Sequence, residues 1–263
     1  MDLSSALYLT DSYLVDFDAT VAGAEESAVR LDRTAFYPTG GGQPGDTGRL
    51  RLPDGTSLTV ETTEKSDAGI RHRLPTGSVL PPVGTRVHGT VDWDRRYRHM
   101  RYHTMLHLLS RLVLSRFGSG ITGSQIYDDR ARMDFSLPEF GRPLAEDLLR
   151  ELNETSRRGL DVTIRFVDRG ELKRDPALVR VAEELLPNEP TIRLVDIGGF
   201  DVQADGGTHV RSSLELGPAH LEKIENKGAR NKRLYLALLP DAPPLPVAPG
   251  TGERSLVPPG PQA

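Results

Sequence analysis

The sequence predicts an α+β chain, with a small N-terminal β-barrel followed by an α/β two-layer domain. Three observations carry this. Short apolar runs broken by Pro and Gly turns fill residues 1–92. A long helical pattern starts near Trp93. Beyond it, a second helix and further strands alternate. The expected units are 1–92, 93–240 and a Pro/Gly-rich flexible tail over 241–263.

In the first unit the expected strands are 7–9, 12–17, 28–32, 57–60 and 85–91, the last partly alternating polar and apolar side chains. Pro53-Asp54-Gly55, Pro75-Thr76-Gly77 and Pro81-Pro82 punctuate them. Such spacing reads as a small barrel or sandwich. The long helix should run from Arg95 to Phe117, with Asp94 capping its start and Gly118 ending it. Tyr102, Leu106, Leu109, Val113 and Phe117 form its apolar stripe. A second helix is expected over 144–158, then strands over 161–167 and 192–195.

Composition excludes several chemistries. The chain has 263 residues, 37% hydrophobic and 27% charged, enough for a packed core. It has no cysteine, so disulfides, a catalytic thiol and thiolate metal sites are excluded. No apolar run reaches the roughly 18 residues of a membrane span. The first five residues lack a basic segment before an apolar stretch, so a cytoplasmic location with no membrane partner is expected. The formal net charge is −4, so a nucleic-acid partner must be held by a local basic patch.

His103 and His107 stand four apart on the long helix, which puts both imidazoles on one face, about 6 Å apart at their bases. Such a pair often occurs without metal. A zinc protease would need Glu after the first histidine, and Thr104 stands there. His209 follows Asp205 by four residues, with Gly206-Gly207 between them allowing a tight turn. Three imidazoles and one carboxylate suit tetrahedral zinc. Read alone, Asp205-Gly206-Gly207 is equally a surface turn.

Four ordered blocks carry a family resemblance. They are Thr34 to Gly48, containing Gly40-Gly41-Gly42-Gln43; Met100 to Leu109, with the histidine pair; Gly123-Ser124-Gln125 running to Ser136; and Gly198 to Val210, followed by Glu215-Leu216-Gly217 and Lys223 to Gly228. Over about residues 5–240 the chain resembles the alanyl-tRNA editing protein family, AlaX, in its medium-length form, and is similar to the editing domain of alanyl-tRNA synthetase. One departure stands out. The family's last metal motif usually begins with Cys, and here that position is Asp205.

The resemblance implies a trans-acting, metal-dependent aminoacyl-tRNA ester hydrolase in protein biosynthesis. Its substrate would be tRNA(Ala) mischarged with serine, or with glycine, and DNA is not an expected partner. One Zn2+ per chain would be held by His103, His107, Asp205 and His209. Thr34 and Gln43 are the candidates on the serine side of the catalytic pocket, since sparing alanine requires hydrogen bonds to the serine hydroxyl. Lys223, Lys227, Arg230, Lys232 and Arg233 are the candidate RNA contacts, with the Arg95–Arg101 run as a second basic stretch. His72, His88, His99 and His220 read as ordinary surface or packing residues. Two alternatives stay open: a tRNA-binding paralogue without catalysis, and a metal hydrolase of another ester.

Overall fold

A computed structural model describes residues 5–137, 140–170, 190–228 and 231–239. The expected tail lies outside these, as does Arg230. The N-terminal part is a seven-stranded antiparallel sheet. Its strands are β1 (Asp16–Glu25), β2 (Ala28–Leu31), β3 (Gly48–Arg51), β4 (Ser57–Val60), β5 (Thr62–Ser66), β6 (Gly69–Arg73) and β7 (Arg86–Val91), in the order β4-β3-β7-β1-β2-β6-β5. Its first and last strands, β4 and β5, are separated in the chain by Glu61 alone, so the sheet must curl. Among the described residues no hydrogen-bonded β4–β5 pair joins its two edges. Alternation on β1 and β7 turns Phe17, Ala19, Val21, Val87 and Val91 inward onto Phe36, Leu50 and Val60. The expected strand at 7–9 is instead a single 3-10 turn, with Tyr8 and Leu9 buried.

The second part is built on α1 (Trp93–Phe117). Its N-cap is Asp92, whose carboxylate accepts from Arg95 N at 3.3 Å, so the helix begins earlier than the expected Asp94 cap. Gly118 ends it in the left-handed conformation, φ 61°. The apolar stripe is only part of what α1 buries. Met100, Met105, Leu108 and Leu112 are buried on its other faces, so α1 is a central helix. Around it pack α2 (Arg142–Ser156) and a sheet ordered β13-β14-β9-β8, made of β8 (Ile121–Ile126), β9 (Ala131–Ser136), β13 (Ala219–Asn226) and β14 (Asn231–Leu238). A third sheet, β10 (Val162–Asp168), β11 (Thr191–Ile197) and β12 (Asp201–Ala204), is antiparallel throughout.

Arg96 links the two parts. It is fully buried and pairs with the equally buried Asp46. It also donates to Ser12 O at 3.0 Å and Ala35 O at 2.6 Å. One guanidinium thus fastens three N-terminal segments to the helix that carries His103 and His107. Removing either member of such a pair leaves a buried uncompensated charge.

Candidate metal centre

Three elements build the centre. Helical spacing on α1 brings His103 and His107 onto one face, with ring centroids 5.1 Å apart. The β11–β12 hairpin, turning through Gly198-Gly199, sends the chain back toward α1. The segment after β12 then delivers Asp205 and His209. The His209 ring stacks on His103 at 4.4 Å and stands edge-on to His107 at 4.7 Å. Gly207 makes the approach feasible, because a Cβ there would meet His103 Cε1 at 2.1 Å. One ligand atom from each of His103, His107, Asp205 and His209 lies within 4.8 Å of the others.

The hydrogen bonds decide which imidazole nitrogens are free for a metal. His103 Nδ1 donates to Gln43 Oε1 at 3.0 Å. His107 Nδ1 donates to the fully buried Asp201 carboxylate at 3.1 Å, and Gln203 Nε2 donates to the same oxygen at 2.7 Å. His209 Nδ1 accepts from Thr104 Oγ1 at 3.0 Å, because its Nε2 donates to the Asp205 carboxylate. Each Nδ1 is therefore taken by a side chain that fixes the ring. Nε2 of His103 lies 3.5 Å from one Asp205 oxygen and Nε2 of His209 donates to the other at 3.0 Å, so both face the carboxylate with which they would share an ion. Partners on the far nitrogen that orient the ring are the usual surroundings of metal-binding histidine. The donor set fits a divalent ion of the zinc type, with Asp205 supplying the one hard anionic oxygen.

Protonation states agree with that fit. Burial pushes His103 down to about 4, outweighing the attraction of Asp205. Burial, reinforced by repulsion from His103, also holds His209 well below its ordinary value. Burial pushes Asp205 upward, but the surrounding imidazoles outweigh it and keep the carboxyl well below the usual range. At neutral pH His103 and His209 are thus neutral imidazoles and Asp205 a carboxylate, the forms that bind metal. Arg193 on β11 steadies the acidic ligand, donating to Asp205 O at 2.7 Å and to Leu9 O at 2.9 Å.

The other expected residues are placed as follows. Gln43 reaches the centre from the N-terminal sheet, on a two-residue turn in which Gly41 and Gly42 have φ of 56° and 81°. It is fully buried; Oε1 also accepts from Thr208 N at 3.2 Å, and Nε2 donates to Thr208 Oγ1 at 2.8 Å. Thr34 is buried, with its hydroxyl 2.8 Å from His72 Nε2 and accepting from Phe36 N. In the basic cluster, Lys223 and Lys227 both pair with Glu225, and Arg233 pairs with Asp134. Lys232 is buried and donates to Gly228 O. In the Arg95–Arg101 run, Arg95 pairs with Asp128, and Arg101 is buried against Leu216 O and Leu239 O. Thr104, Asp201 and Gln203 escaped the sequence reading; the Asp-x-Gln spacing next to the last histidine motif was the one available signal. A groove of about 690 Å³ lies elsewhere, on the N-terminal sheet between Arg33, Arg51, Arg86 and His88, and holds none of the four cluster residues.

Comparison with known proteins agrees with this architecture. Residues 9–95 match the family described as tRNA synthetases class II (A). Residues 192–235 match the threonyl and alanyl tRNA synthetase second additional domain. Alanyl-tRNA editing protein AlaX-M of Saccharolobus solfataricus is 39% identical over 90% of this chain and 100% of its own length. AlaX-M of Methanosarcina mazei is 39% identical over 91% and 98%. The alanine–tRNA ligase of Thermococcus kodakarensis is 35% identical over 83% of this chain, but only 24% of the ligase is covered. No described helix is long and apolar enough to cross a membrane. Covered along nearly the whole of two AlaX-M proteins at this identity, the chain belongs to the alanyl-tRNA editing protein family.

Proposed function

We propose that this protein hydrolyses the ester of mischarged tRNA(Ala), acting in trans on seryl-tRNA(Ala) and on glycyl-tRNA(Ala). The observation that carries the reading is the meeting of His103, His107, Asp205 and His209, in a chain that matches AlaX-M along its length and the ligases over a quarter of theirs. These four residues would hold one Zn2+. When bound, it would supply Lewis-acid polarisation of the ester carbonyl or acidify the attacking water. Hydrolysis adds water across the ester, releasing the amino acid and returning the terminal ribose hydroxyl.

The protein's own groups set the geometry for that step. Gln43 acts as a positioning residue, fixing the His103 ring while its amide is anchored on Thr208. Asp201 and Thr104 do the same for His107 and His209. Thr34 is the proposed contact to the serine hydroxyl, its own hydroxyl being bound to His72 and accepting from Phe36 N. The units proposed to act together are residues 1–92, which bring Gln43, and 93–240, which bring the four ligands.

The biological need follows from pocket physics. A pocket built for alanine rejects glycine, or serine with its one extra hydroxyl, only weakly, so a second hydrolytic site restores accuracy. The test is deacylation of tRNA(Ala) carrying serine, glycine or alanine by the zinc-loaded protein. Release of serine or glycine should exceed release of alanine by at least tenfold. Equal turnover of all three, or none, contradicts the proposal.

A further inference from the structure

The three imidazoles of the centre are not held alike. His103 Nδ1 donates to Gln43 Oε1 at 3.0 Å, and an amide oxygen only accepts. That amide is fixed in its orientation, because Oε1 also accepts from Thr208 N at 3.2 Å and Nε2 donates to Thr208 Oγ1 at 2.8 Å. His107 Nδ1 donates to the Asp201 carboxylate at 3.1 Å, another pure acceptor. Both rings therefore carry their proton on Nδ1 and leave Nε2 bare, the tautomer that takes an ion on Nε2.

His209 is held the other way round. Its Nε2 lies 3.0 Å from Asp205 Oδ2, and a carboxylate oxygen only accepts, so the proton is on Nε2. The side chain is 1% exposed, and its ring centroid stands 4.4 and 4.7 Å from those of two other imidazoles, surroundings that keep it neutral. Its Nδ1 is thus bare and accepts from Thr104 Oγ1 at 3.0 Å. An ion on Nε2 needs the opposite tautomer, with the proton on Nδ1.

Of the three ring partners, Thr104 is the one that can serve both tautomers. A hydroxyl donates and accepts, whereas an amide oxygen or a carboxylate only accepts. Thr104 is fully buried on α1. A threonine hydroxyl inside a helix has a second place for its proton, the carbonyl one turn back, here that of Met100. Oγ1 can then accept from His209 Nδ1, as it already accepts from Val210 N at 3.4 Å. We propose that Thr104 is a two-way partner that lets His209 exchange tautomers when an ion enters the centre. The ring carries one proton throughout: it leaves Nε2 to water, one is taken from water on Nδ1, and none is released overall. Asp205 Oδ2 gives up His209 and keeps Gly207 N at 2.6 Å. A partner that only donates or only accepts would leave a buried polar group unpaired in one of the two forms, at a cost in stability. This rests on the reading of the four residues as a zinc centre.

The experiment uses the full chain, zinc-loaded or stripped by a chelator, with isotope-labelled histidine. Long-range proton–nitrogen spectra show which ring nitrogen carries the proton, and the signals lost in His209→Ala identify that ring. In the parent, His209 should carry its proton on Nε2 without zinc and on Nδ1 with it, while His103 and His107 carry theirs on Nδ1 in both. Thr104→Val keeps the shape and removes the hydroxyl. It should weaken zinc binding about 10–100-fold in chelator competition, and Thr104→Ser should restore the parental value. A His209 proton on Nδ1 without zinc, alone or beside one on Nε2, would overturn the proposal. So would parental zinc affinity in Thr104→Val, or a loss in Thr104→Ser equal to that in Thr104→Val. None of these readouts uses tRNA. Tautomer exchange in a chain that leaves mischarged tRNA(Ala) intact supports this inference and contradicts the deacylase reading. Deacylation by a chain whose His209 keeps its proton on one nitrogen does the reverse.

Discussion

Two groups of buried histidines can be set side by side. His72 lies in the N-terminal sheet, fully buried, and burial pushes it down to about 4. His103 is held at about the same value for the same first cause. Burial and protonation therefore do not separate them. Their nitrogens do. His72 has Nδ1 on Val29 O at 3.1 Å and Nε2 on Thr34 Oγ1 at 2.8 Å, so the protein uses both. In the cluster a side chain holds Nδ1 of each ring, while Nε2 of His103 and His209 face the Asp205 carboxylate, His209 bonding it at 3.0 Å. A buried histidine points to a metal site when its second nitrogen is turned toward an anionic donor shared with other imidazoles, and not toward a hydroxyl or a carbonyl.

The strongest way to break this comparison is to exchange the histidines' fates by mutation. His209→Ala should abolish stoichiometric zinc and reduce deacylation at least a hundredfold. His72→Ala should keep one zinc per chain while lowering thermal stability. Metal analysis on gel-filtered protein, paired with calorimetry, checks both. Zinc retained by His209→Ala would remove the distinction.

Next in size is the link between the two parts. Arg96→Met leaves Asp46 buried without its partner and should cost about 3–5 kcal/mol of stability. Chemical denaturation reads this directly. A loss under 1 kcal/mol would mean that the ion pair does not fasten the N-terminal sheet to α1.

The residues behind the ligands come next. Gln43→Ala and Asp201→Asn should each weaken zinc binding about 10–100-fold, because the ring loses the partner that orients it. Competition with a chromophoric chelator measures this, and parental affinity in both variants would show that the Nδ1 bonds are incidental.

A pH series sharpens the His72 side. Its folded value, about 4, lies below the ordinary 6.5, so the unfolded chain takes up a proton first as pH falls. The stability due to neutral His72 is complete above 6.5 and is lost as pH falls through about 4. The change is on the order of 3 kcal/mol. Zinc-free protein should therefore unfold more easily across that window, and His72→Gln should flatten the dependence. The smallest effect is expected at the end of α1, where Gly118→Ala, at φ 61°, should cost about 1 kcal/mol by thermal unfolding.

How much of this was legible in the sequence depended on the range of the interaction. Helix α1 and its histidine pair could be read because capping and i,i+4 spacing are local. Strands Thr62–Ser66 and Gly69–Arg73 could not, since Ile70 is the one large apolar residue in the two. Backbone ladders at the sheet edge make them strands. Arg96 sits in a basic run that reads as solvated, and nothing local shows that its partner lies 50 residues earlier. Asp205 and His209 were legible through the glycine turn between them. The residues that orient the rings, Asp201 and Thr104, act across 94 and 105 residues, beyond any local pattern. The basic cluster was half legible: strand alternation turns Arg233 outward and Lys232 inward, and that register is fixed by pairing with β9.

The central claim is that three imidazole nitrogens and one carboxylate oxygen hold a single ion. X-ray absorption at the zinc edge on the loaded protein tests it most directly. The account predicts one zinc per chain with nitrogen and oxygen neighbours at about 2.0–2.2 Å, and one oxygen fewer from the protein in Asp205→Ala. Substoichiometric zinc, or a coordination shell unchanged in both Asp205→Ala and His103→Ala, would contradict it.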